Sequence, residues 1–165
     1  MLFNIYLIRY CITQVPVSEN NILTMEQHPY FIKNRTTPLH LENNVWQKVL
    51  GEELYRVARL KGTERPFTGT YWDSDQKGRY YCACCGNYLF ASDAKFQSSC
   101  GWPSYFEPSD KEAVYYVEDL SFNMKRIEVL CKLCDAHLGH VFDDGPPPTY
   151  VRYCINSVCV VFEPL

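Results

Sequence analysis

Residues 81–86 read YCACCG, and residues 129–137 read VLCKLCDAH. Each stretch contains one C-x-x-C pair, and the four cysteines are Cys82, Cys85, Cys131 and Cys134. Two such pairs can place four soft thiolates around a tetrahedral zinc ion. The gap between the pairs is longer than in the usual zinc ribbon, so the strands between them must fold back. We therefore predict a structural zinc that ties two distant strand pairs together and contributes to folding stability.

Two other residues compete for a place among the zinc ligands. Cys84 lies beside Cys85, but using it would break the two-residue spacing, so we expect it to be spare. His137 follows Cys134 by three residues and could replace a cysteine, although four cysteines already complete the shell. The structural alternative is that these cysteines simply pack inside strands. A closed four-cysteine site has no open position for catalysis, so the chemistry must come from other residues.

The segments around the two pairs carry strand patterns. Short alternating runs separated by turns fill the chain from about residue 62 onward. The predicted strands lie in GRYYCACC (78–85), NYLFAS (87–92), AVYYVEDLSF (113–122), KRIEVLC (125–131), HLGHVF (137–142) and YVRYCINSVCVVF (150–162). Before them, residues 44–61 place apolar side chains at helical spacing, with Gly62 as a stop. We expect a helical lead-in followed by a compact, mostly antiparallel β domain over residues 62–165.

The chain divides into an N-terminal segment, residues 1–43, and a main domain, residues 44–165. Prolines interrupt the first part, which shows no sustained period. LFNIYLI at 2–8 is apolar, but it is too short to span a membrane and no basic residue precedes it. A secretory signal that directs the protein to the periplasm or out of the cell is therefore the lesser alternative. A true start at Met25 is another.

The composition excludes several classes of protein. A hydrophobic content of 47% and an aromatic content of 15% are ample for a packed core and exclude a disordered chain. The net charge of −3 and the pI near 5.8, with basic residues spread out, argue against nucleic-acid or anionic-membrane partners. Nine cysteines, an odd count in clusters, fit a reduced compartment better than a secreted disulfide framework. We expect a cytoplasmic protein that acts as a monomer.

Five cysteines remain outside the zinc prediction: Cys11, Cys84, Cys100, Cys154 and Cys159. The last two are five residues apart in TYVRYCINSVCVVF (149–162), so an unbroken strand would point them to opposite faces. Cys154 would share its face with Arg152 and Asn156. A nearby guanidinium or hydrogen-bond donor lowers the pKa of a thiol, whereas apolar burial raises it. Cys154 is therefore the candidate nucleophile and Cys159 the candidate core residue.

Other residues that suit redox chemistry lie nearby in the sequence. Cys100 lies in SSCGWPSYF (98–106), where a glycine and a proline predict a loop that can expose a sulfur. Trp102 offers an apolar surface for a small thioether or methyl group, or it is a core tryptophan. His137 and His140 are the best proton donors, because histidine changes charge near neutral pH, or they are structural. Together these residues suggest a thiol redox enzyme without specifying its substrate.

These motifs occur together in one known family. GTERPFTG (62–69), C-x-x-CG, FQSSCGWPSYF (96–106), CKLCDAHLGHVFDDGPPPT (131–149) and RYCINS (152–157) follow one another in order. In this arrangement the chain resembles the methionine-R-sulfoxide reductase B family over about residues 44–164. The resemblance implies a mainly β fold of distorted, barrel-like antiparallel sheets with a structural zinc on the four paired cysteines. It also implies thioredoxin-dependent reduction of the R epimer of methionine sulfoxide in proteins, a repair after oxidative stress.

The resemblance also assigns roles to individual residues. It places the nucleophile on Cys154, which would become a sulfenic acid, and the resolving cysteine on Cys100, which would form a disulfide with it. The substrate-site residues that it implies are Trp102, His137, His140 and Asn156. Of the two histidines, His140 is the first candidate for protonating the leaving oxygen and His137 the second. Arg152 is expected beside the substrate, where it tunes charge.

The largest departure from the family lies in one segment, and the sequence leaves three alternatives to weigh. SFNM at 121–124 replaces the usual SHGM, which we expect to alter substrate affinity rather than the chemistry. Cys84 and Cys159 are extra thiols, so resolution by either of them stays open. A zinc-ribbon binding module without activity would leave Cys100 and Cys154 unexplained. A general thiol–disulfide oxidoreductase would need its C-x-x-C at a helix N-terminus rather than among strands.

Overall fold

The computed structural model describes residues 28–165, and these begin with two short helices, α1 (Asn43–Val49) and α2 (Glu52–Ala58). The sequence pattern predicted one helix over residues 44–61. The chain instead adopts extended backbone at Leu50 and Gly51, with ψ values of 145° and 152°. Gly51 caps the start of α2, and two glutamates in the first turn of α2 favour a new helix N-terminus there.

Nine strands follow the helices. They are β1 Gly78–Cys82, β2 Tyr88–Ala91, β3 Lys95–Phe96, β4 Ser104–Tyr105, β5 Val114–Asp119, β6 Arg126–Cys131, β7 His137–Phe142, β8 Arg152–Ile155 and β9 Val160–Pro164. One sheet has the order β2-β1-β9 and the other the order β3-β4-β8-β7-β6-β5, with every pair antiparallel. The mainly β prediction is confirmed. Over the described part of the chain the strands form two open sheets rather than a barrel.

The stretch TYVRYCINSVCVVF does not form one strand. β8 ends at Ile155, a 3-10 turn covers Ser157–Cys159, and β9 then continues in the other sheet. The assumption of an unbroken strand is therefore wrong, although the two sulfurs differ in exposure as expected. Cys159 is 1% exposed, whereas Cys154 is only partly buried.

Aromatic side chains join the two sheets into one core. Tyr80 of β1 and Tyr105 of β4 are fully buried, and their ring centroids lie 5.3 Å apart in an edge-to-face contact. Phe90 of β2 stacks on Tyr105 with centroids 4.3 Å apart. Such rings contribute a large share of the apolar area that is buried on folding. This packing holds the strand ends that carry the cysteines in fixed positions.

The segment before the helices lies against the paired cysteines. The backbone N–H of Ile32 donates to the carbonyl of Cys85 at 3.2 Å, and that of Leu39 donates to Leu133 at 2.6 Å. Within residues 28–165, no helix is long and apolar enough to cross a membrane. The apolar stretch 2–8 and the alternative start at Met25 lie outside the described residues.

Candidate active site and metal centre

The four paired cysteines converge on one point. Their sulfurs all lie within 4.8 Å of one another, and all four side chains are buried. The Sγ atoms of Cys82 and Cys134 are 3.7 Å apart, and those of Cys85 and Cys131 are 3.6 Å apart. A tetrahedron with metal–sulfur bonds of ~2.3 Å has sulfur–sulfur edges of ~3.8 Å. The cluster therefore has the size of a four-thiolate metal site.

The surroundings of this cluster also suit thiolates. The side-chain amide of Asn87 donates to the sulfur of Cys131 at 3.5 Å. Such a donor stabilises negative charge on a metal-bound sulfur. Cys84 lies beside the cluster and is buried, but its sulfur is not part of the converging set. His137 also lies outside the set, so its alternative role as a ligand finds no support in the geometry.

A second pair of sulfurs lies at the six-stranded sheet, one on a strand and one on a neighbouring loop. Cys154 is in β8, opposite Ser104 of β4 and His140 of β7. Cys100 lies in the loop between β3 and β4, and its Sγ atom is 3.6 Å from that of Cys154. The loop turns tightly at Gly101, where φ is +88° and a Cβ atom would lie 2.8 Å from the backbone nitrogen of Phe67. Glycine is therefore needed to bring Cys100 to this position.

The two thiols differ in acidity. The contact with Cys154, together with hydroxyls of Ser104 and Ser98, lowers the pKa of Cys100 to about 4. The same contact with Cys100, and then burial, raises the pKa of Cys154. Arg152 acts on Cys154 in the opposite direction, but its effect is smaller. In the singly ionised pair the two sulfurs share one proton, and the lowered pKa of Cys100 favours the charge on that sulfur.

A cavity of about 130 Å³ opens over Cys154. Its lining residues are Thr63, Trp102, Arg126, Gly139, His140, Phe142, Cys154 and Asn156. The cavity thus brings together four of the residues that the sequence predicted for the site. Cys100 is not among the lining residues, so a molecule in the cavity meets the sulfur of Cys154 first.

His140 is bound by a carboxylate at the edge of this cavity. Its Nε2 atom lies 2.8 Å from Oδ2 of Asp119, at the end of β5. Asp119 also accepts a hydrogen bond from the backbone N–H of Ser121 and pairs with Arg126 at 2.7 Å. These contacts, those with Ser121 first, hold the pKa of Asp119 well below its usual range. The carboxylate is therefore charged and can stabilise a protonated imidazole.

His137 lies deeper in the protein. It is 2% exposed, and its Nδ1 atom is 2.7 Å from Oε1 of Glu128. Burial lowers the pKa of His137, against the effect of that glutamate. The ring centroids of His137 and His140 are 5.4 Å apart, but only His140 lines the cavity. His140 is thus the better placed of the two to give a proton to a bound molecule.

Asn156 and Trp102 are both anchored by Glu64. The side chain of Asn156 accepts from the backbone N–H of Glu64 at 3.0 Å and donates to the carbonyl of Leu138 at 2.9 Å. The indole N–H of Trp102 donates to the carbonyl of Glu64 at 3.2 Å. The carboxylate of Glu64 accepts from the backbone N–H groups of Ser157 and Val158, which begin the turn after β8. One buried glutamate therefore fixes two walls of the cavity.

Arg152 does not line the cavity. Its guanidinium forms two hydrogen bonds of 2.8 Å with the carboxylate of Asp144 and lies 4.5 Å from the ring centre of Phe142. Phe142 does line the cavity, so Arg152 supports a wall from outside.

Comparisons with known proteins identify relatives of this chain. A sequence model of the SelR domain family matches residues 50–164. The peptide methionine sulfoxide reductase MsrB of Cellvibrio japonicus is 56% identical over 119 residues, which make up 72% of this chain and 85% of that protein. Proteins of the same name from Hahella chejuensis and Pseudomonas putida are also 56% identical over 72% of this chain. The matched regions make up 85% and 90% of those two proteins. The chain belongs to the MsrB family.

The candidate site is supported by residues that the sequence did not single out. Glu64 holds two cavity walls in place, Asp119 binds His140, and Glu128 binds His137. Glu64 lies within the GTERPFTG block that carried part of the resemblance, which is the only sequence signal for it. Asp119 and Glu128 look like ordinary strand carboxylates, since their partners lie 21 and 9 residues away.

Proposed function

We propose that this MsrB family member reduces the R epimer of methionine sulfoxide in peptides and proteins, as a repair of oxidative damage. The observation that carries the proposal is that Cys154 lines a small cavity beside Trp102 and His140, with Cys100 3.6 Å behind it. A nucleophile must reach its substrate, and access favours Cys154. The relatives named above are peptide methionine sulfoxide reductases, which supports the same substrate class.

The first step transfers oxygen from the substrate to Cys154. Cys154 passes its proton to the Cys100 thiolate and attacks the sulfoxide sulfur as a thiolate. His140 donates a proton to the sulfoxide oxygen, with Asp119 stabilising the imidazolium before transfer. The sulfur–oxygen bond of the substrate breaks, methionine leaves as a thioether, and Cys154 becomes a sulfenic acid.

The second step forms a disulfide. The thiol of Cys100 condenses with the sulfenic acid of Cys154, which releases one water molecule and joins the two sulfurs. The short distance between the sulfurs supports Cys100 as the resolving residue. Cys84 and Cys159 are each 1% exposed, so both are poorly placed to resolve the intermediate or to meet a reductant. A thioredoxin dithiol then reduces the disulfide by thiol exchange.

The residues around the cavity contribute to substrate binding in different ways. Trp102 is partly exposed, and its ring is held by the hydrogen bond to Glu64, so it offers a fixed apolar face to the S-methyl group. Asn156 uses its amide to hold the backbone of Glu64 and Leu138 and so shapes the cavity. Arg152 contributes positive charge near the two sulfurs through its position behind Phe142.

The metal that we propose for the four-cysteine cluster is zinc, with a structural role. Four soft thiolates at tetrahedral spacing suit zinc, and the closed shell leaves no position for a substrate. Cys82 and Cys131, which would hold the ion, lie at the ends of β1 and β6 in different sheets, so a bound ion would tie the two sheets together. We also propose that the protein acts as a monomer in the cytoplasm, where thioredoxin keeps thiols reduced.

The test is an assay with a racemic methionine-sulfoxide peptide and dithiothreitol, followed by separation of the two epimers. We expect the R epimer to disappear and the S epimer to remain. Cys154→Ser should abolish turnover, whereas the matched control Cys159→Ala, at the other cysteine of the same stretch, should keep it. Reduction of the S epimer, or full turnover by Cys154→Ser, would show that the proposal is wrong.

A further inference from the structure

Two serine side chains lie against the sulfur of Cys100. The hydroxyl of Ser98 donates a hydrogen bond to this sulfur, with Oγ 2.8 Å from Sγ, and the Oγ atom of Ser104 lies 3.4 Å from it. Neither serine lines the cavity over Cys154, so neither contacts a molecule bound there. Their hydroxyls therefore act on the resolving sulfur and not on the substrate.

Short-range structure and strand pairing bring the two hydroxyls to this sulfur. Ser98 lies two residues before Cys100, and the backbone N–H of Cys100 donates to its Oγ atom at 3.3 Å, which closes a serine turn. Ser104 is fully buried in β4 and is the register partner of Cys154 in β8. Directly paired residues point to the same face of a sheet, so Ser104 lies beside the two sulfurs.

The two hydroxyls also contact each other, with their Oγ atoms 3.0 Å apart. When Ser98 donates to the Cys100 sulfur, its oxygen can accept from Ser104 and from the backbone N–H of Cys100. Such a chain of donors polarises towards its end and favours negative charge there. Within residues 28–165 the sulfur of Cys154 contacts Cys100 but receives no hydrogen bond from a hydroxyl.

The same surroundings can hold Cys100 as a thiol. Its S–H group can donate to the carbonyl of Trp102, which is 3.5 Å from the sulfur. The sulfur thus has hydroxyl donors for its charged form and an acceptor for its protonated form. A residue that first takes a proton and later releases it needs both.

The reaction removes one of the groups that favour charge on Cys100. The contact with Cys154 is the largest cause of its low pKa, and the hydroxyls of Ser104 and Ser98 are the next groups that lower it. The ionisable groups that act on this sulfur include Cys154 and Arg152, both in β8. Once Cys154 is a sulfenic acid, its thiol is gone, whereas the serine hydroxyls are unchanged.

We propose that Ser98 and Ser104 are positioning residues of the resolving step, which hold Cys100 ready as a thiolate after Cys154 has been oxidised. The inference rests on the proposed function of the site. Cys100 releases the proton that it took from Cys154, and its sulfur attacks the sulfur of the sulfenic acid. The sulfur–sulfur bond forms, the sulfur–oxygen bond breaks, and the departing hydroxide takes that proton and becomes water. The Cys100 sulfur is oxidised and the Cys154 sulfur is reduced.

The first measurement is the charge on Cys100 when the other sulfur is absent. In a Cys154→Ala background, the rate of iodoacetamide labelling at about pH 6 reports the thiolate fraction of Cys100. Because a hydrogen bond to a charged group is worth about a factor of ten or more, Ser98→Ala should slow the labelling about tenfold. Ser98→Thr keeps the hydroxyl and should restore the rate. The matched control Ser99→Ala, at the exposed neighbouring serine, should leave the rate unchanged.

The second measurement separates the two chemical steps in protein that keeps both sulfurs. Reduced protein is mixed with the R-sulfoxide peptide without reductant, and released methionine and the Cys100–Cys154 disulfide are followed over time. Ser98→Ala should slow disulfide formation about tenfold, and more than it slows methionine release. Dimedone should then trap more sulfenic acid on Cys154 than in the Ser99→Ala control.

Two results would overturn the proposal. One is equal labelling of Cys100 in the Ser98→Ala and Ser99→Ala proteins, and the other is a Ser98→Ala protein that forms the disulfide as fast as the wild type. Ser104→Ala should have the same effects as Ser98→Ala, but if this buried change prevents folding, Ser98→Ala in the loop gives the answer alone. If the wild type releases no methionine, the proposed function itself fails, whereas the labelling measurement still tests the serines.

Discussion

The Sγ atoms of Cys100 and Cys154 lie 3.6 Å apart, yet only Cys154 lines the cavity. Proximity lets the two sulfurs form a disulfide after small movements, and the difference in access gives them different roles. The less accessible thiol is the more acidic one, because the pKa of Cys100 is lowered and that of Cys154 is raised. The pair therefore combines an accessible sulfur that holds a proton with a less accessible sulfur that can accept it.

This arrangement predicts an unusual pH dependence of alkylation. Iodoacetamide reacts with thiolates, so an ordinary cysteine reacts about tenfold more slowly for each pH unit below about 8.5. With a pKa of about 4, Cys100 should keep a nearly constant alkylation rate from about pH 7 down to about pH 5. Cys154→Ser removes the main cause of the shift, so the pKa of Cys100 should rise and its rate at low pH should fall. Peptide mass spectrometry after brief labelling locates the modified residue, and a tenfold loss per pH unit in the wild type would contradict the charge assignment.

Removing the charge of Asp119 should impair proton donation. Asp119→Asn keeps the shape of the side chain but removes the carboxylate that faces His140, so we expect kcat to fall about tenfold with little change in KM. The matched control is Glu118→Gln, because Glu118 is adjacent and its ion pair with Lys125 is exposed. Steady-state kinetics with dithiothreitol measure both variants. Equal effects at the two positions would show that Asp119 has no specific role.

Loss of a cluster cysteine should release the metal and destabilise the fold. We expect about one zinc per chain by elemental analysis, and Cys131→Ser should lose it and unfold at a clearly lower temperature. Cys84→Ala is the control, since Cys84 is buried beside the cluster but does not belong to it. A wild-type protein without metal, or equal metal loss in the control, would exclude the proposed ligand set.

Glu64 should matter more for stability than its place in a loop suggests. It is 6% exposed and accepts hydrogen bonds from two backbone N–H groups, so Glu64→Gln, which leaves one of them without an acceptor, should cost about 1–3 kcal/mol in the free energy of unfolding. Glu53→Gln, in an exposed pair with Arg56, should change stability by less than about 1 kcal/mol. Urea denaturation measures both, and equal losses would contradict the anchoring role.

Local patterns were enough to predict most of the longer strands and the cluster of four cysteines. C-x-x-C spacing is a short-range property, and the alternation in residues 78–85, 113–122, 125–131 and 137–142 corresponds to β1, β5, β6 and β7. The two-residue strands β3 and β4 are too short to show a period, so they were not predicted.

The remaining features depend on contacts that are distant in sequence. The turn after Ile155 is held by Glu64, whose carboxylate accepts hydrogen bonds from backbone N–H groups 93 and 94 residues later. Likewise, nothing in the local sequence joins Asp119 to His140, because they lie on β5 and β7, on either side of β6, and meet only after the sheet has formed. A continuous apolar alternation therefore predicted one strand where the fold has two.

The most direct test of the account follows the fate of Cys154 in the absence of reductant. Reduced protein is mixed with an equal amount of the R-sulfoxide peptide, and the products are mapped by mass spectrometry. We predict about one methionine peptide released per enzyme and a single new disulfide between Cys100 and Cys154. In Cys100→Ser, the same release should leave a sulfenic acid on Cys154 that dimedone traps. A disulfide involving Cys84 or Cys159, or methionine release without any change at Cys154, would contradict the account.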